Sequence, residues 1–457
     1  MTGRAGGERW VEEAVAAVSA ERPPCTPESL AVNPTLLLKD FSSAGGEGCR
    51  ALVWKDRGGM VRSGRAEAGD LLALKMVLEG LTPEGVAAAG GLPVAAVDRM
   101  LDAAIAREIL LAPASALRRP EGFASSTGEH LQTETFTLQW HITSRCDLNC
   151  LHCYDRSPRS ELSFVEGLEV LRDLRRFCRA RHVAGQVSFT GGNPFLHDDF
   201  ERLYRSALDL GLRTAILGNP VAREPLQRVL GMGRPEYFQV SLEGLREHND
   251  RVRGRGNFDA VLAFLDLLGE FGIFSVVMLT LTAGNLGQVL PLGEILRGRA
   301  SLFSFSRLAR FGAGRYLDPP AHADYLRFAR DYLREARGNP VLGRKDGLLS
   351  LAHLQRGEEP FGGCTGFGCG AAFSFLSLLP DGEVHACRKF PSRLGSVREA
   401  SLEALYDSPQ AERYRAGSSG CNGCRLRAVC GGCAAVTAGE GLDPFTDRDP
   451  FCPSPIS

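Results

Sequence analysis

Hydrophobic and polar positions follow two alternating periods along residues 134–338. Short runs rich in β-branched and aromatic residues, such as TFTLQWHIT and FSVVMLTLT, predict strands. The segments between them, such as FDAVLAFLDLLGEFG, place apolar residues every three or four positions and predict helices. Repetition of this strand–helix unit predicts an α/β fold with a parallel sheet and right-handed crossovers. Either an open doubly wound sheet or a partial (β/α)6 barrel fits the pattern.

The segment 1–112 has a different pattern, which predicts a separate domain. Its strand-like stretches, TLLLKD and CRALVWKD followed by GGMVRSG, are joined by Gly-rich turns. Three helices follow: one near Gly69–Glu79, one with Thr82 as N-cap and Pro83 in its first turn, and one in LPVAAVDRMLDAAIARE, before a short strand ILLA. This order predicts a winged-helix-like domain. Residues 113–133 are turn-rich and unpatterned, and we interpret them as a linker.

Beyond about residue 361 the regular periods fade, and Cys, Gly and turn residues dominate. We therefore predict a C-terminal domain at 339–457 with little apolar core, which would need metal to fold.

The amino-acid composition limits the partners and the cellular compartment that we expect for this protein. The 457 residues are 44% hydrophobic and 23% charged, with a net charge of -1, so nothing favours nucleic acid or an anionic membrane as partner. No apolar run approaches the ~20 residues of a membrane span. Acids within the first 21 residues argue against a signal peptide. We therefore expect a cytoplasmic protein whose 14 cysteines stay reduced, where clustered thiols usually bind metal.

Three cysteines follow the first strand of the α/β segment, in SRCDLNCLHCYD. Cys146, Cys150 and Cys153 have the spacing CX3CX2C, and the ends of strands are where (β/α) folds bind ligands. A structural zinc site would need a fourth ligand, for which His152 is the local candidate. A [4Fe–4S] cluster held by three thiolates instead leaves one iron open to a small molecule. We favour the cluster.

This spacing resembles the signature of radical S-adenosylmethionine (SAM) enzymes, with His152 at the position where that family has an aromatic residue. The resemblance implies a partial barrel in which SAM binds the open iron and is reductively cleaved to a 5′-deoxyadenosyl radical. TGGNP resembles the family's GGEP element, although Asn193 replaces the acid, and SLEGLREHNDRVRG ends a later strand. By resemblance, SAM contacts are expected from Gly191, Gly192, Asn193, Pro194, Ser241, Glu243 and Arg253.

Eight more cysteines lie in the C-terminal part, four of them in CNGCRLRAVCGGC with the spacing CX2CX5CX2C. Alone, this pattern favours a zinc ribbon. Beside a radical SAM signature it resembles the SPASM extension, although the last gap has two residues where that family usually has three. The resemblance implies two auxiliary [4Fe–4S] clusters. One would be held by Cys364, Cys369, Cys387 and Cys433, and the other by Cys421, Cys424, Cys430 and Cys452.

The N-terminal domain resembles the peptide-recognition element of ribosomal peptide maturases, which adds a leader-peptide strand to its sheet edge. A DNA-binding winged helix is the alternative. A DNA-recognition helix should be rich in basic residues. The third helix instead has at least as many acidic as basic side chains, with Arg99 and Arg107 beside Asp98, Asp102 and Glu108. A peptide partner is therefore favoured over nucleic acid.

Together these resemblances imply a radical SAM/SPASM enzyme that modifies a ribosomally made precursor peptide and takes electrons from a flavodoxin or ferredoxin. The motifs look most similar to those of maturases of selenobiotic and other Cys-rich peptides, so we expect a thioether or related bond to a cysteine. Arg388 stands where anaerobic sulfatase maturases have a catalytic acid, which disfavours formylglycine formation. A radical SAM enzyme of cofactor or small-molecule biosynthesis and a metal-stabilised winged-helix regulator remain alternatives. The sequence identifies no catalytic residue.

Overall fold

The structure is a computed structural model that describes residues 29–42, 48–120, 122–123 and 130–453. The chain divides into two compact units. The first comprises Met1–Ala114 with Asp209–Gly211, and the second comprises Ser115–Leu208 and Leu212–Ser457. No helix within the described ranges is both long enough and apolar enough to cross a membrane.

The first unit has the predicted order of strands and then three helices. Its elements are β1 (Ala31–Val32), β2 (Leu37–Ser42), β3 (Gly48–Lys55), β4 (Val61–Arg65), α1 (Ala68–Glu79), α2 (Pro83–Gly90), α3 (Val94–Ala106) and β5 (Leu110–Leu111). Strands β2, β3 and β4 form an antiparallel sheet in that order, and β1 pairs with β5. Thr82 caps α2 by accepting a hydrogen bond from the Gly85 N–H, as its position predicts. Leu52 and Trp54 pack against Met76 and Leu101 in the core of this unit.

The remaining elements alternate as predicted and then become short. They are β6 (Thr135–Thr143), α4 (Phe164–Ala180), β7 (Ala184–Gly191), α5 (Phe200–Asp209), β8 (Arg213–Leu217), α6 (Arg223–Met232), β9 (Phe238–Ser241), α7 (Arg246–Arg253), α8 (Asn257–Glu270), β10 (Ser275–Leu281), α9 (Val289–Leu296), β11 (Leu302–Arg307), α10 (His322–Glu335), α11 (Leu349–Leu354), β12 (Phe375–Leu378), β13 (Glu383–His385), β14 (Arg393–Ser396), α12 (Leu402–Tyr406), α13 (Pro409–Ala416) and α14 (Ala434–Gly439).

Strand order decides between the two predicted α/β architectures. Strands β6 to β11 are parallel and adjacent in chain order. A doubly wound sheet would reverse its order at a switch point. The sheet is therefore the partial barrel, and its strand ends form one mouth.

The sheet continues beyond the barrel into the C-terminal segment. Strand β12 pairs parallel with β6, with Phe375 opposite Thr137, and β13 and β14 follow antiparallel. The rings of Phe136, Phe177 and Tyr406 lie 4.6–5.7 Å apart and join β6, α4 and α12. The predicted C-terminal domain at 339–457 thus shares a sheet and a core with the barrel, because every residue of β12 is buried.

Part of the segment interpreted as a linker is packed within the second unit. The Leu117 carbonyl accepts a hydrogen bond from the Thr133 N–H, and Arg119 donates to the carbonyl oxygens of Phe367 (2.5 Å) and Cys369 (2.6 Å). The Arg119 guanidinium also lies 4.1 Å from the ring centroid of Phe373. A turn-rich stretch without apolar periodicity is held in place here by one arginine that donates to two half-buried carbonyls.

Candidate active site

A cavity of about 770 Å³ opens at the C-terminal ends of the barrel strands. Twelve of the predicted site residues line it: Cys146, Cys150, Cys153, Gly191, Gly192, Ser241, Arg253, Cys364, Cys369, Cys387, Cys430 and Cys433. The other predicted residues are not on its wall: Asn193, Pro194, Glu243, Cys421, Cys424 and Cys452. The fold therefore brings the CX3CX2C loop and several C-terminal thiols to one cavity.

The CX3CX2C loop directly follows β6 and receives several N–H···S contacts. The backbone N–H of Leu148 donates to Cys146 Sγ (3.4 Å), and so does the side-chain amide of Asn219 (3.5 Å). Arg253 Nη1 donates to Cys150 Sγ (3.7 Å). Cys146 is exposed, whereas the other two thiols are half-buried. Three thiols with donors directed at sulfur fit a cluster held by thiolates.

Burial raises the pKa of the Cys150 thiol, although the charge of Arg253 acts in the opposite direction. The neighbouring Cys146 and Cys153 raise this pKa further, which means that their charges lie close by. A bound metal centre would favour the thiolate form at such a site.

Glu243 forms an ion-pair centre behind the cavity wall, where its side chain is only 1% exposed. It lies 2.7 Å from Arg253 Nη2 and 2.8 Å from His152 Nε2, and it accepts the Thr280 N–H at 2.8 Å. Burial alone would raise the pKa of this carboxyl, but His152, Arg253 and the Thr280 N–H outweigh it and hold the pKa at about 2. Glu243 thereby fixes both His152 of the cysteine loop and Arg253 of the cavity wall.

The glycines of TGGNP let the end of β7 approach the start of the cysteine loop. A Cβ on Gly191, whose φ is +133°, would lie 2.2 Å from the Thr143 carbonyl oxygen, and one on Gly192 would lie 2.0 Å from that of Arg145. The Gly192 N–H donates to the Thr143 carbonyl at 2.9 Å. Glycine is thus required by a backbone-to-backbone contact, in addition to any contact with a ligand.

Two asparagines at the ends of β7 and β8 hold Asp147 within the cysteine loop. Asn219 Nδ2 donates to Asp147 Oδ1 at 2.6 Å, and Asn193 Nδ2 donates to the same oxygen at 3.3 Å. Both asparagines are buried. The Asn193 side chain therefore contacts the cysteine loop, at the position where the GGEP element of the resembled family has an acid.

Burial and neighbouring charges shift the pKa values of several C-terminal thiols. Burial raises the pKa of Cys387 to about 11 against the opposing N–H and charge of Lys389, and the charges of Cys369 and Cys364 add to the rise. Burial likewise raises the pKa of Cys433 to about 12, and Cys369 contributes there as well. All four thiols of the first predicted set line the wall of the same cavity: Cys364, Cys369, Cys387 and Cys433.

In the second predicted set, burial raises the pKa of Cys421 to about 11, with contributions from Cys424 and Cys452. Cys424 and Cys430 both pack against the apolar cluster of Leu351, Leu426 and Val429. Among the residues that the structure describes, no three His, Cys, Asp or Glu side chains converge tightly enough to ligate a single metal ion. The assignment of these thiols to two auxiliary clusters stays a prediction.

Comparison with known proteins identifies the family. A radical SAM superfamily profile matches residues 140–287, and a profile of the iron–sulfur cluster-binding SPASM domain matches residues 369–434. The chain is 33% identical to the Fe-coproporphyrin III synthase of Methanosarcina barkeri over 356 residues, which are 68% of this chain and 86% of that protein. This chain belongs to the radical SAM superfamily.

Other known proteins are also similar to this chain. The mycofactocin maturase MftC of Mycolicibacterium smegmatis is 28% identical over 338 residues, which cover 69% of this chain and 82% of that protein. The crystal structure of Streptococcus suis SuiB bound to the precursor peptide SuiA has a TM-score of 0.58 and 16% identity, covering 93% of this chain and 100% of that chain. This last likeness shows the shared fold.

The chain is therefore a radical SAM enzyme with a SPASM domain, and its cofactors are SAM and iron–sulfur clusters. When bound, these cofactors supply a carbon-centred radical that abstracts hydrogen from the substrate. Cys146, Cys150 and Cys153 are the residues that would hold the SAM-binding cluster of this radical SAM enzyme. Ser241 and Arg253 line the cavity beside them.

A buried ion-pair network joins the radical SAM barrel to the SPASM cysteines. Arg307 at the end of β11 lies 2.6 Å from Asp346 and 2.6 Å from Asp449. Asp449 Oδ2 also accepts the Cys433 N–H at 2.8 Å. The network thus fixes the position of one SPASM thiol relative to a barrel strand.

Sequence patterns missed several residues on or behind the cavity wall of this radical SAM enzyme: Asp147, Asn219, Arg307, Lys345, Asp346 and Asp449. Asn219 lies in LGNP at the end of a predicted strand, which is a position where (β/α) folds place site residues. No sequence pattern indicated Asp346 or Asp449, because their partner Arg307 lies far from them along the chain.

Proposed function

We propose that this radical SAM/SPASM enzyme modifies a ribosomally synthesised, Cys-containing precursor peptide, and that it forms a thioether or related bond. The similarity to MftC and to peptide-bound SuiB supports a peptide substrate. The observation that carries the proposal is the outer edge of β4, which pairs with no further described strand of the first unit and where a peptide strand could pair.

The hydrogen bonding of β4 shows which of its backbone groups face that edge. The Asp56 N–H donates to the Met60 carbonyl and the Ala66 N–H to the Arg50 carbonyl, which fixes the even-numbered residues of β4 as the pairing positions toward β3. The backbone groups of Val61, Ser63 and Arg65 therefore point away from β3. Within the described part of the first unit, β4 is an outer strand of its sheet.

Ser63→Pro tests the proposal in the full-length holoenzyme. Proline removes one outward N–H and leaves the bonds to β3 in place, which an edge strand tolerates. With a candidate precursor from a neighbouring reading frame, we expect KM to rise about tenfold while uncoupled SAM cleavage is unchanged. Ser63→Ala is the matched control and should behave as wild type. Equal KM values for Ser63→Pro and Ser63→Ala would contradict recognition through this edge.

The product is read by mass spectrometry. A thioether forms when a substrate C–H and a cysteine S–H are replaced by a C–S bond, so the peptide should lose the mass of one hydrogen molecule. Prior alkylation of the peptide cysteines should abolish this mass change.

We also propose a cytoplasmic location and a flavodoxin or ferredoxin as electron donor. The electron donor is tested by replacing dithionite with each reduced protein.

A small-molecule radical SAM enzyme is the second candidate, because the 33%-identical relative is an Fe-coproporphyrin III synthase. The same anaerobic assay with a tetrapyrrole precursor of iron coproporphyrin III in place of peptide separates the two. Formation of iron coproporphyrin III together with deoxyadenosine in the absence of peptide would favour this candidate.

A further inference from the structure

Three cations line the active-site cavity on the side of the SPASM cysteines: Lys345, Arg388 and Lys389. Arg388 Nη1 donates to Thr190 Oγ1 at 3.2 Å, immediately before the glycines of TGGNP. Lys345 Nζ lies 4.0 Å from Met278 Sδ on β10. The cations therefore border the space between the CX3CX2C loop and the C-terminal thiols, which is where a substrate would reach both.

These cations differ from two other arginines of the cavity wall, whereas Arg156 donates to the Cys150 carbonyl. Arg253 is paired with Glu243, and Arg307 is paired with Asp346 and Asp449. By contrast, no described carboxylate lies within 4.0 Å of Lys345, Arg388 or Lys389. A half-buried ammonium or guanidinium on a cavity wall without a counter-charge favours an anion in the same region.

The charges of the three residues act on one another. Burial lowers the pKa of Lys345, and although Cys364 opposes this effect, Lys389 and Arg388 lower the pKa further. All three cations line the wall of one cavity, so a substrate held there could interact with more than one of them.

Three anions are candidates: the carboxylate of SAM, for which Ser241 and Arg253 are the expected partners, the thiolates of an auxiliary cluster, or the substrate. Arg388 adjoins Cys387 in sequence, yet its guanidinium crosses to Thr190 of the barrel, where Thr190 accepts the one side-chain hydrogen bond that Arg388 makes to described residues. Its other donors remain available in a planar fork that matches a carboxylate, and the Lys345 ammonium adds a point charge. The geometry favours the substrate.

We propose that Lys345 and Arg388, assisted by Lys389, bind a carboxylate of the substrate inside the cavity. The proposal deepens the proposed function and rests on it for the nature of the substrate. In a precursor peptide the carboxylate is an acidic side chain or the C-terminus, and in a small molecule it is a free carboxylate. Because either source presents the same group to the cations, the test includes one probe of each kind.

The test uses anaerobically reconstituted holoenzyme with SAM and two pairs of radiolabelled probes in equilibrium dialysis. The peptide pair is acetyl-Gly-Asp-Gly-amide and its Asn counterpart, and the small-molecule pair is glutarate and glutaramide. We expect the carboxylate member of at least one pair to bind about tenfold more tightly than its amide. Lys345→Met and Arg388→Gln should each remove this preference, and Lys345→Arg should keep most of it.

Arg393→Gln is the matched control, because Arg393 is an exposed arginine of the same domain and is paired with Glu383. It should bind all four probes as wild type does. Iron content and the electron paramagnetic resonance spectrum of the reduced clusters provide a second readout, and both should be unchanged in Lys345→Met and Arg388→Gln.

An unchanged carboxylate preference in these two variants would overturn the proposal, and so would equal binding of acid and amide by wild type. Loss of iron from both variants would assign the cations to an auxiliary cluster instead. Preference for glutarate without preference for the Asp peptide would keep the carboxylate site and count against a peptide substrate. The Ser63→Pro comparison tests the peptide independently of these outcomes.

Discussion

Glu243 shows how one side chain organises its surroundings at the scale of single residues. Sequence resemblance places it among residues expected to contact SAM, whereas the structure places its carboxylate behind the wall, shared by Arg253, His152 and the Thr280 N–H. A buried carboxylate with three partners is a fixed anion rather than a proton acceptor. Its role is to orient Arg253 and the cysteine loop.

Glu243→Gln should destabilise the protein, because Arg253 and His152 would lose their buried counter-charge. The folded-state pKa of about 2 lies below the ordinary 4.5, so the stabilisation is fully present above pH 4.5 and is lost as the pH falls toward 2. We expect a loss of about 3 kcal/mol in the free energy of unfolding at pH 7, and a smaller loss at pH 4. Urea unfolding at both values measures it.

Glu224→Gln is the matched control for this prediction, since Glu224 is an exposed glutamate on α6. It should change the free energy of unfolding by less than about 0.5 kcal/mol. Equal effects of the two substitutions would mean that the Glu243 ion pairs contribute little net stability.

The spacing of residues within one loop can be recognised in the sequence. Contacts between residues at the ends of different strands cannot. The CX3CX2C spacing brings its three thiols to the cavity within a single loop. Nothing in the sequence around Asp147 distinguishes it from other acidic loop residues. Its role follows from hydrogen bonds that Asn193 and Asn219 donate from the ends of two other strands. No local period encodes such a contact, because the sheet pairing alone decides which strand ends are neighbours.

Gly192 carries a prediction at the scale of the elements, where β7 meets the loop after β6. Gly192→Ala would place a Cβ 2.0 Å from the Arg145 carbonyl oxygen, so the two backbones must separate. We expect a cost of roughly 1–3 kcal/mol, loss of iron from the SAM-binding cluster and a fall in uncoupled SAM cleavage. Iron assays and anaerobic deoxyadenosine formation measure these effects.

Gly231→Ala on α6 is the control, since a Cβ there meets nothing within 4 Å. It should be neutral or stabilise the helix by about 0.5–1 kcal/mol. Full iron content and normal SAM cleavage in Gly192→Ala would show that the loop tolerates displacement.

Elements were more predictable than their pairing. The barrel strands and helices fall where apolar periods indicate, and Thr82 caps α2 as expected. The choice between a barrel and a doubly wound sheet required strand order, which periodicity does not contain. The packing of Arg119 against the carbonyls of Phe367 and Cys369 was likewise invisible in a turn-rich stretch.

Cluster content is the prediction that belongs to the whole molecule. Replacing Cys146, Cys150 and Cys153 together with Ala should abolish reductive SAM cleavage and leave the C-terminal thiols occupied. If these hold two clusters, iron should fall from about twelve to about eight per chain. Iron and sulfide assays with anaerobic deoxyadenosine measurement test both points. Deoxyadenosine formation by the triple variant would refute the role of the loop, and tightly bound zinc would restore the zinc alternative for the C-terminal thiols.

The pairing of β12 with β6 has a consequence for how the chain is made. During synthesis β6 leaves the ribosome more than two hundred residues before β12. The edge of β6 that pairs with β12 therefore stays unpaired during this interval. At translation rates of about 5–20 residues per second, that interval is on the order of 10 to 50 s. A nascent barrel with an exposed apolar edge is open to wrong pairing throughout this time. Slow translation of the stretch between the two strands would therefore lower the yield of soluble enzyme even though the finished fold is unchanged.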